Sequence, residues 1–183
     1  MRYLLTVITI VIALASSPVA ADQKDKRLPP LFDQLSEDID NAQAHSLELK
    51  IWSIWLESGN SDIDELMQQG MVALTVGGYR HAIRLFSEIV ERAPDYAEGW
   101  NKRATVFYLI GHHRESIDDV EHTLALEPRH FGAIAGLGLN LEALGEKQEA
   151  IDAYREALAV NPHLQRIRDR LDHLVKELED QAI

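Results

Sequence analysis

Residues 131–164 read FGAIAGLGLNLEALGEKQEAIDAYREALAVNPHL, and the two stretches before them have the same length and align without a gap. Residues 97–130 read AEGWNKRATVFYLIGHHRESIDDVEHTLALEPRH, and residues 63–96 read IDELMQQGMVALTVGGYRHAIRLFSEIVERAPDY. Proline recurs at Pro94, Pro128 and Pro162, and glycine at Gly77, Gly111 and Gly145. Large apolar residues hold the columns Leu66, Trp100, Ile134 and Phe86, Val120, Tyr154. Small residues hold Gly70, Ala104, Gly138 and Ala82, Ser116, Ala150. Six columns in register over three copies mark a repeat architecture, whose units stack to share one core.

Each copy carries two apolar patterns at helical spacing. In the first copy they are Ile63, Leu66, Met67, Met71 and Leu74, then Tyr79, Ala82, Ile83, Phe86, Ile89 and Val90. Gly77–Gly78 separates them, because glycine enters the left-handed turn that ends a helix. The prolines stop the second helix, since the residue before proline avoids the helical region. Ser61-x-x-Asp64 and Asp95-x-x-Glu98 have capping-box spacing and predict helix starts there. A single unit cannot bury both of its faces, so stacking must do so. Trp100 is expected to be a core anchor whose truncation costs about 3–5 kcal/mol.

These columns resemble the signature of the tetratricopeptide repeat (TPR) family, W-x2-L-G-x2-Y, then A-x3-F, then P. The third copy keeps Leu137-Gly138, Ala150, Tyr154 and Pro162; the second has Trp100, but Arg103 for the usual Leu and Ser116 for the usual Ala. The first has Gln69 where Leu is common. The likeness extends to short exported bacterial TPR proteins with an additional N-terminal helix. It implies an all-α fold, a right-handed α-solenoid of three TPR helix pairs with N- and C-terminal capping helices.

Outside the repeats, residues 1–21 read as a signal peptide. Arg2 is followed by an apolar run from Tyr3 to Ala15, and cleavage is expected after Ala21. A run of that length is short for a membrane span, which needs about 20 residues. Residues 22–30 are expected to be a flexible leader. Residues 31–59 are expected to be helical with an interruption near Ser36–Asp40 and an apolar stripe of Ala44, Leu47, Ile51, Ile54 and Trp55. Trp52 and Trp55 would either cap repeat 1 or form an aromatic partner site, with the cap favoured because end repeats need covering. Residues 165–183 are expected to be a capping helix; Leu164, Ile167, Leu171, Leu174 and Leu178 also have heptad spacing, so a dimer coiled coil is the alternative.

Acidic residues number 30 against 18 basic ones, for a net charge of -12. Such a surface repels phosphate backbones and anionic lipids, arguing against nucleic-acid partners. The chain has no cysteine, so thiolate zinc sites, Cys nucleophiles, disulfides and a lipobox are excluded. There is no N-x-[ST] sequon either, which favours the bacterial periplasm over a eukaryotic secretory route, with full secretion as second choice. Apolar content of 46% is that of a folded domain, so packing alone must hold it.

No nucleotide loop or hydrolase motif stands in a fitting context, no enzyme activity or cofactor is expected, and Gly132, Gly136 and Gly138 read as packing glycines. His112, His113 and His122 with Asp118 and Asp119 are the best metal candidates, but a solvated helix face is the favoured reading and no metal is assigned. What remains is a protein-binding surface. In the TPR family the first helix of each pair lines the concave groove. The resemblance thus implies a partner-binding groove of Met67, Met71, Leu74, Asn101, Thr105, Tyr108, Leu139 and Glu142, joined by Asp64 and Ala135. Met67 and Met71 replace two positions of the family's carboxylate clamp, although Asn101 and Lys102 lie nearby, so an apolar peptide or helix is the expected ligand. The leading expectation is a periplasmic interaction module or scaffold that supports cell-envelope proteins. A self-associating oligomer built on the C-terminal helix is the alternative, and a His-based metal protein the remote one.

Overall fold

The computed structural model describes residues 25–181, which form nine helices: α1 (Leu28–Leu35), α2 (Asn41–Trp55), α3 (Ser61–Thr75), α4 (Tyr79–Arg92), α5 (Ala97–Leu109), α6 (His113–Leu126), α7 (Phe131–Ala143), α8 (Lys147–Val160) and α9 (Gln165–Gln181). The expected signal peptide and its expected cleavage position lie outside the described residues. Helices α3/α4, α5/α6 and α7/α8 pair antiparallel, and each second helix packs on the first helix of the next pair. This is an α-solenoid. Gly77, Gly111 and Gly145 take φ of +74°, +80° and +79° in the three intra-pair turns, where a Cβ would strain the backbone. At the pair crossings, added Cβ atoms on Gly70 and Gly138 would collide with the Phe86 and Tyr154 rings, which explains the small-residue column.

Several local expectations change. Helix α1 starts inside the expected leader, and Leu28 is fully buried. Pro29 and Pro30 fit its first turn because the N–H groups they lack are unpaired there anyway. The side-chain cap of α3 is Asn60, which accepts from Asp62 N and Ile63 N; Asp64 instead turns back to the Ser58 hydroxyl at 2.5 Å. At α5 the N-cap is Tyr96, and Glu98 is drawn into the interior instead of completing a capping box. The capping box that does form joins Asp40 and Gln43 at the start of α2.

Trp100 is half-buried rather than a core anchor. Its Nε1 donates to Pro94 O at 2.9 Å and its ring meets His122 and Arg103. The fully buried aromatics are Phe86, Tyr96 and Tyr154. The departures of the second repeat explain one another. Arg103 reaches across to Asp119 through two 2.7 Å hydrogen bonds, and Ser116 donates to Ala104 O while accepting from Asn140 Nδ2. Polar pairs thus replace Leu and Ala without leaving their hydrogen bonds unmade.

The N-terminal hairpin α1–α2 does not cover the exposed side of repeat 1. It runs along the edge made by the loops between repeats, touching the same repeat column three times. Tyr96 Oη donates to Leu56 O at 3.0 Å, His130 stacks on Trp55 at 4.0 Å between ring centroids, and Leu164 joins the cluster around Phe32, Leu47 and Phe131. Asn161 also donates to Glu48 at 2.7 Å. Trp52 and Trp55 are therefore fastened to the junction of repeats 2 and 3, where neither sequence reading placed them. A Cβ on Gly132 would come within 2.7 Å of the Trp52 ring, so this glycine lets the α1–α2 hairpin lie close, as a strap across the stack. At the other end, the heptad leucines of α9 turn onto repeat 3, with Leu174 buried and Leu171 and Leu178 packed beside Tyr154 and Ile151. The seam is used within the chain.

Candidate functional site

The three first helices α3, α5 and α7 line one face of the stack, and the strap and α9 frame it. Where α2 crosses the first turns of α5 and α7, a buried polar cluster forms. Glu98 is 1% exposed; it accepts from His130 Nε2 at 2.9 Å and from Asn101 Nδ2 at 3.0 Å, while Lys102 Nζ lies 2.7 Å from its other oxygen. His130 Nδ1 accepts from Ala133 N at 3.0 Å, capping α7. The imidazole proton therefore sits on Nε2 and is donated to the carboxylate. Trp52 and Trp55 close the cluster from the strap side, with Lys102 also 4.9 Å above the Trp52 ring.

Burial pushes the Glu98 carboxyl up, but Lys102 and His130 outweigh it and hold the group below its ordinary value of 4.5. Glu98 then binds fewer protons folded than unfolded. Its contribution is present above the unfolded value and lost as pH falls through the folded one. Urea unfolding between pH 7 and pH 3 should show stability falling below about pH 4.5, and Glu98→Gln should flatten that fall. An unchanged slope in the variant would remove this account.

Beyond the cluster, two adjoining hollows open between α5, α7 and α9. One of about 270 Å³ lies between α5 and α7, and one of about 500 Å³ extends towards α9. They share Tyr108, Ala135 and Leu139. Leu164 and Ile167 add apolar wall, and Arg166, Arg170 and the strap residue Glu48 stand at the larger mouth. Gly136 has open space where a Cβ would be, and so deepens the smaller hollow.

A family model described as tetratricopeptide repeat matches residues 132–164, and a second with the same description matches residues 67–120. The chain is 34% identical over 159 residues to a TPR repeat-containing protein of Rhizobium etli, covering 87% of this chain and 78% of that one. This chain belongs to the tetratricopeptide repeat family. It is 28% identical over 124 residues to DnaJ homolog subfamily C member 3 of Mus musculus, of which it spans only 25%. Among solved structures it is similar to the Sgt2 TPR domain from Aspergillus fumigatus, with a TM-score of 0.61, 21% identity, and coverage of 67% of this chain and 83% of that one. It is also similar to the first TPR of Spaghetti (RPAP3) bound to HSP90 peptide SRMEEVD, with a TM-score of 0.62, 20% identity, and coverage of 64% and 93%.

Within this TPR stack the eight groove residues fall into separate places. Asn101, Thr105, Tyr108 and Leu139 line the hollows. Met67 and Met71 lie on α3 around a different apolar hollow with Leu56, Val72 and Val76, and Met67 is itself buried. Leu74 packs into the repeat 1 core. Glu142 is engaged by Tyr154 Oη at 2.5 Å and by Arg170 at 2.9 Å. Asp64 is turned back to Ser58, and Ala135 lies on the hollow floor. Asn101 and Lys102, the two clamp-like residues, are both held by Glu98.

Sequence reading missed the wall supplied by α9, whose Arg166 and Arg170 stand one turn apart at i, i+4. It also missed the buried role of Glu98, which reads in sequence as the last residue of a capping box. Among the described residues no three His, Asp or Glu converge to hold a metal. Asp119 is paired with Arg103, His113 Nδ1 lies 3.0 Å from Asn140, and His122 rests on Trp100.

Proposed function

We propose that this TPR protein is a periplasmic binding module, without catalysis of its own, that holds an apolar peptide or helix segment of an envelope protein in the hollows between α5, α7 and α9. The observation that carries the reading is the shared floor of Tyr108, Ala135 and Leu139, walled by Leu164 and Ile167. It is a concave apolar surface with a few polar groups at its mouth, the form a peptide-binding site takes. That TPR structures similar to this one were solved with bound peptides supports a peptide ligand. The internal engagement of Asn101 and Lys102 favours side-chain burial over capture of a free carboxylate. The apolar run at residues 3–15 behind Arg2 supports export.

Crosslinking in periplasm with a photoreactive residue at Thr105, followed by identification of the captured chain, tests this directly. Leu139→Glu is expected to lower recovery of the same partner by about tenfold or more, because a charge is costly in an apolar contact. Equal recovery from the variant, with its helicity intact by circular dichroism, would refute the site. Recovery only from cytoplasm would refute the compartment.

A further inference from the structure

The first repeat presents a second surface that the strap leaves open. Val72 occupies the same repeat position as Val106 and Asn140, and Val76 the same as Ile110 and Leu144. In repeats 2 and 3 this column faces the second helix of the preceding repeat. Val106 is fully buried in the cluster that contains Phe86 and Ile89 of α4, and Asn140 hydrogen-bonds Ser116 of α6. Repeat 1 has no preceding repeat. Val72 is 60% exposed and Val76 76%, and they border an apolar hollow of about 470 Å³ with Met71 and Leu56.

We infer that this face of α3 docks an amphipathic helix from a partner protein, taking the place of a preceding second helix and carrying basic residues towards its C-terminal end. The repeat geometry supplies the orientation: α4 packs antiparallel on α5, so a helix in the equivalent place would lay its N-terminal half over Val72 and Val76. Its C-terminal half would meet the first turn of α3. That turn carries Asp62, Asp64 and an exposed Glu65, against which, among the described residues, only Arg92 of α4 stands, 3.4 Å from Asp62, so the turn stays net negative. Negative charge there attracts Lys and Arg on the occupant, and the contact continues the repeat-to-repeat interface that runs through the molecule. This surface is distinct from the hollows between α5, α7 and α9, and does not depend on them.

A synthetic peptide of the α4 sequence, residues 79–93 with Glu88→Lys, Glu91→Lys and a fluorescent label, is a suitable probe, because α4 already fills the equivalent place on α5 and the two exchanges at exposed positions supply the basic C-terminal half. Anisotropy titration against the chain should show saturable binding that Val72→Glu with Val76→Glu weakens by about tenfold or more, given the transfer energy of a buried valine. Leu139→Glu should leave this binding unchanged, and 0.5 M salt should weaken it as screening of the charged half requires, at a Debye length of about 4–5 Å. No saturable binding would overturn the inference. So would binding insensitive to Val72→Glu with Val76→Glu, which would mean exchange with the resident α4. A dimer in sedimentation that the same substitutions dissociate would give the face to a second copy of the chain and overturn the partner assignment.

Discussion

His130→Ala is expected to lower stability by about 3–5 kcal/mol, the range for removing one member of a buried charged network, although Lys102 and Asn101 stay on Glu98. Three losses coincide. Glu98 would lose the Nε2 donor at 2.9 Å, α7 would lose its cap at Ala133 N, and Trp55 would lose the ring stacked on it. For a chain of this size that corresponds to a fall in melting temperature of roughly 10 °C. His130→Asn should recover only about 1 kcal/mol, since Asn restores the helix cap but does not reach Glu98. Combining His130→Ala with Glu98→Gln should cost less than the sum of the two, because each change breaks the same Nε2–carboxylate hydrogen bond. Differential scanning calorimetry of the four proteins measures this. Strictly additive losses would show that the two residues do not share one network.

Phe86→Ala should have an effect of similar size, about 3–5 kcal/mol, through a different mechanism. Phe86 is fully buried and its ring fills the space that Gly70 leaves open where α3 and α4 cross. Truncation leaves a cavity in the cluster of Ile63, Met67, Ile89 and Val106, which relaxes into it only in part. Trp100→Ala should cost only about 1–2 kcal/mol, because the ring lies on the outside of the stack and its loss opens no enclosed void. Chemical denaturation at neutral pH separates the two. A Trp100 variant less stable than the Phe86 variant would reverse the assignment of the core.

The repeat columns placed nearly all of the helices. Pro94, Pro128 and Pro162 and the three turn glycines act within a few residues of themselves, so their meaning survives without knowledge of the rest of the chain. The same holds for the interruption between α1 and α2. Helix α1 was misread because Pro29-Pro30 signals both a stiff leader and a favourable first helical turn, and only the burial of Leu28 decides between them. Of the eight groove residues, Asn101, Thr105, Tyr108 and Leu139 lie at the hollows between α5, α7 and α9. Leu74 and Glu142 do not, because periodicity names the helix face and not the neighbour that covers it.

The sequence by itself determined the all-helical solenoid, its 34-residue register and the α9 stripe, since these follow from local conformational preference and apolar spacing. Tertiary structure alone decided where the strap lies, that Glu98, His130 and Lys102 meet, and that Val72 and Val76 remain uncovered. Those features join positions dozens of residues apart: Glu48 meets Asn161, and Leu35 O meets His163. Such contacts depend on how whole helices fit against one another, and no periodicity within one helix encodes which distant surface it will meet.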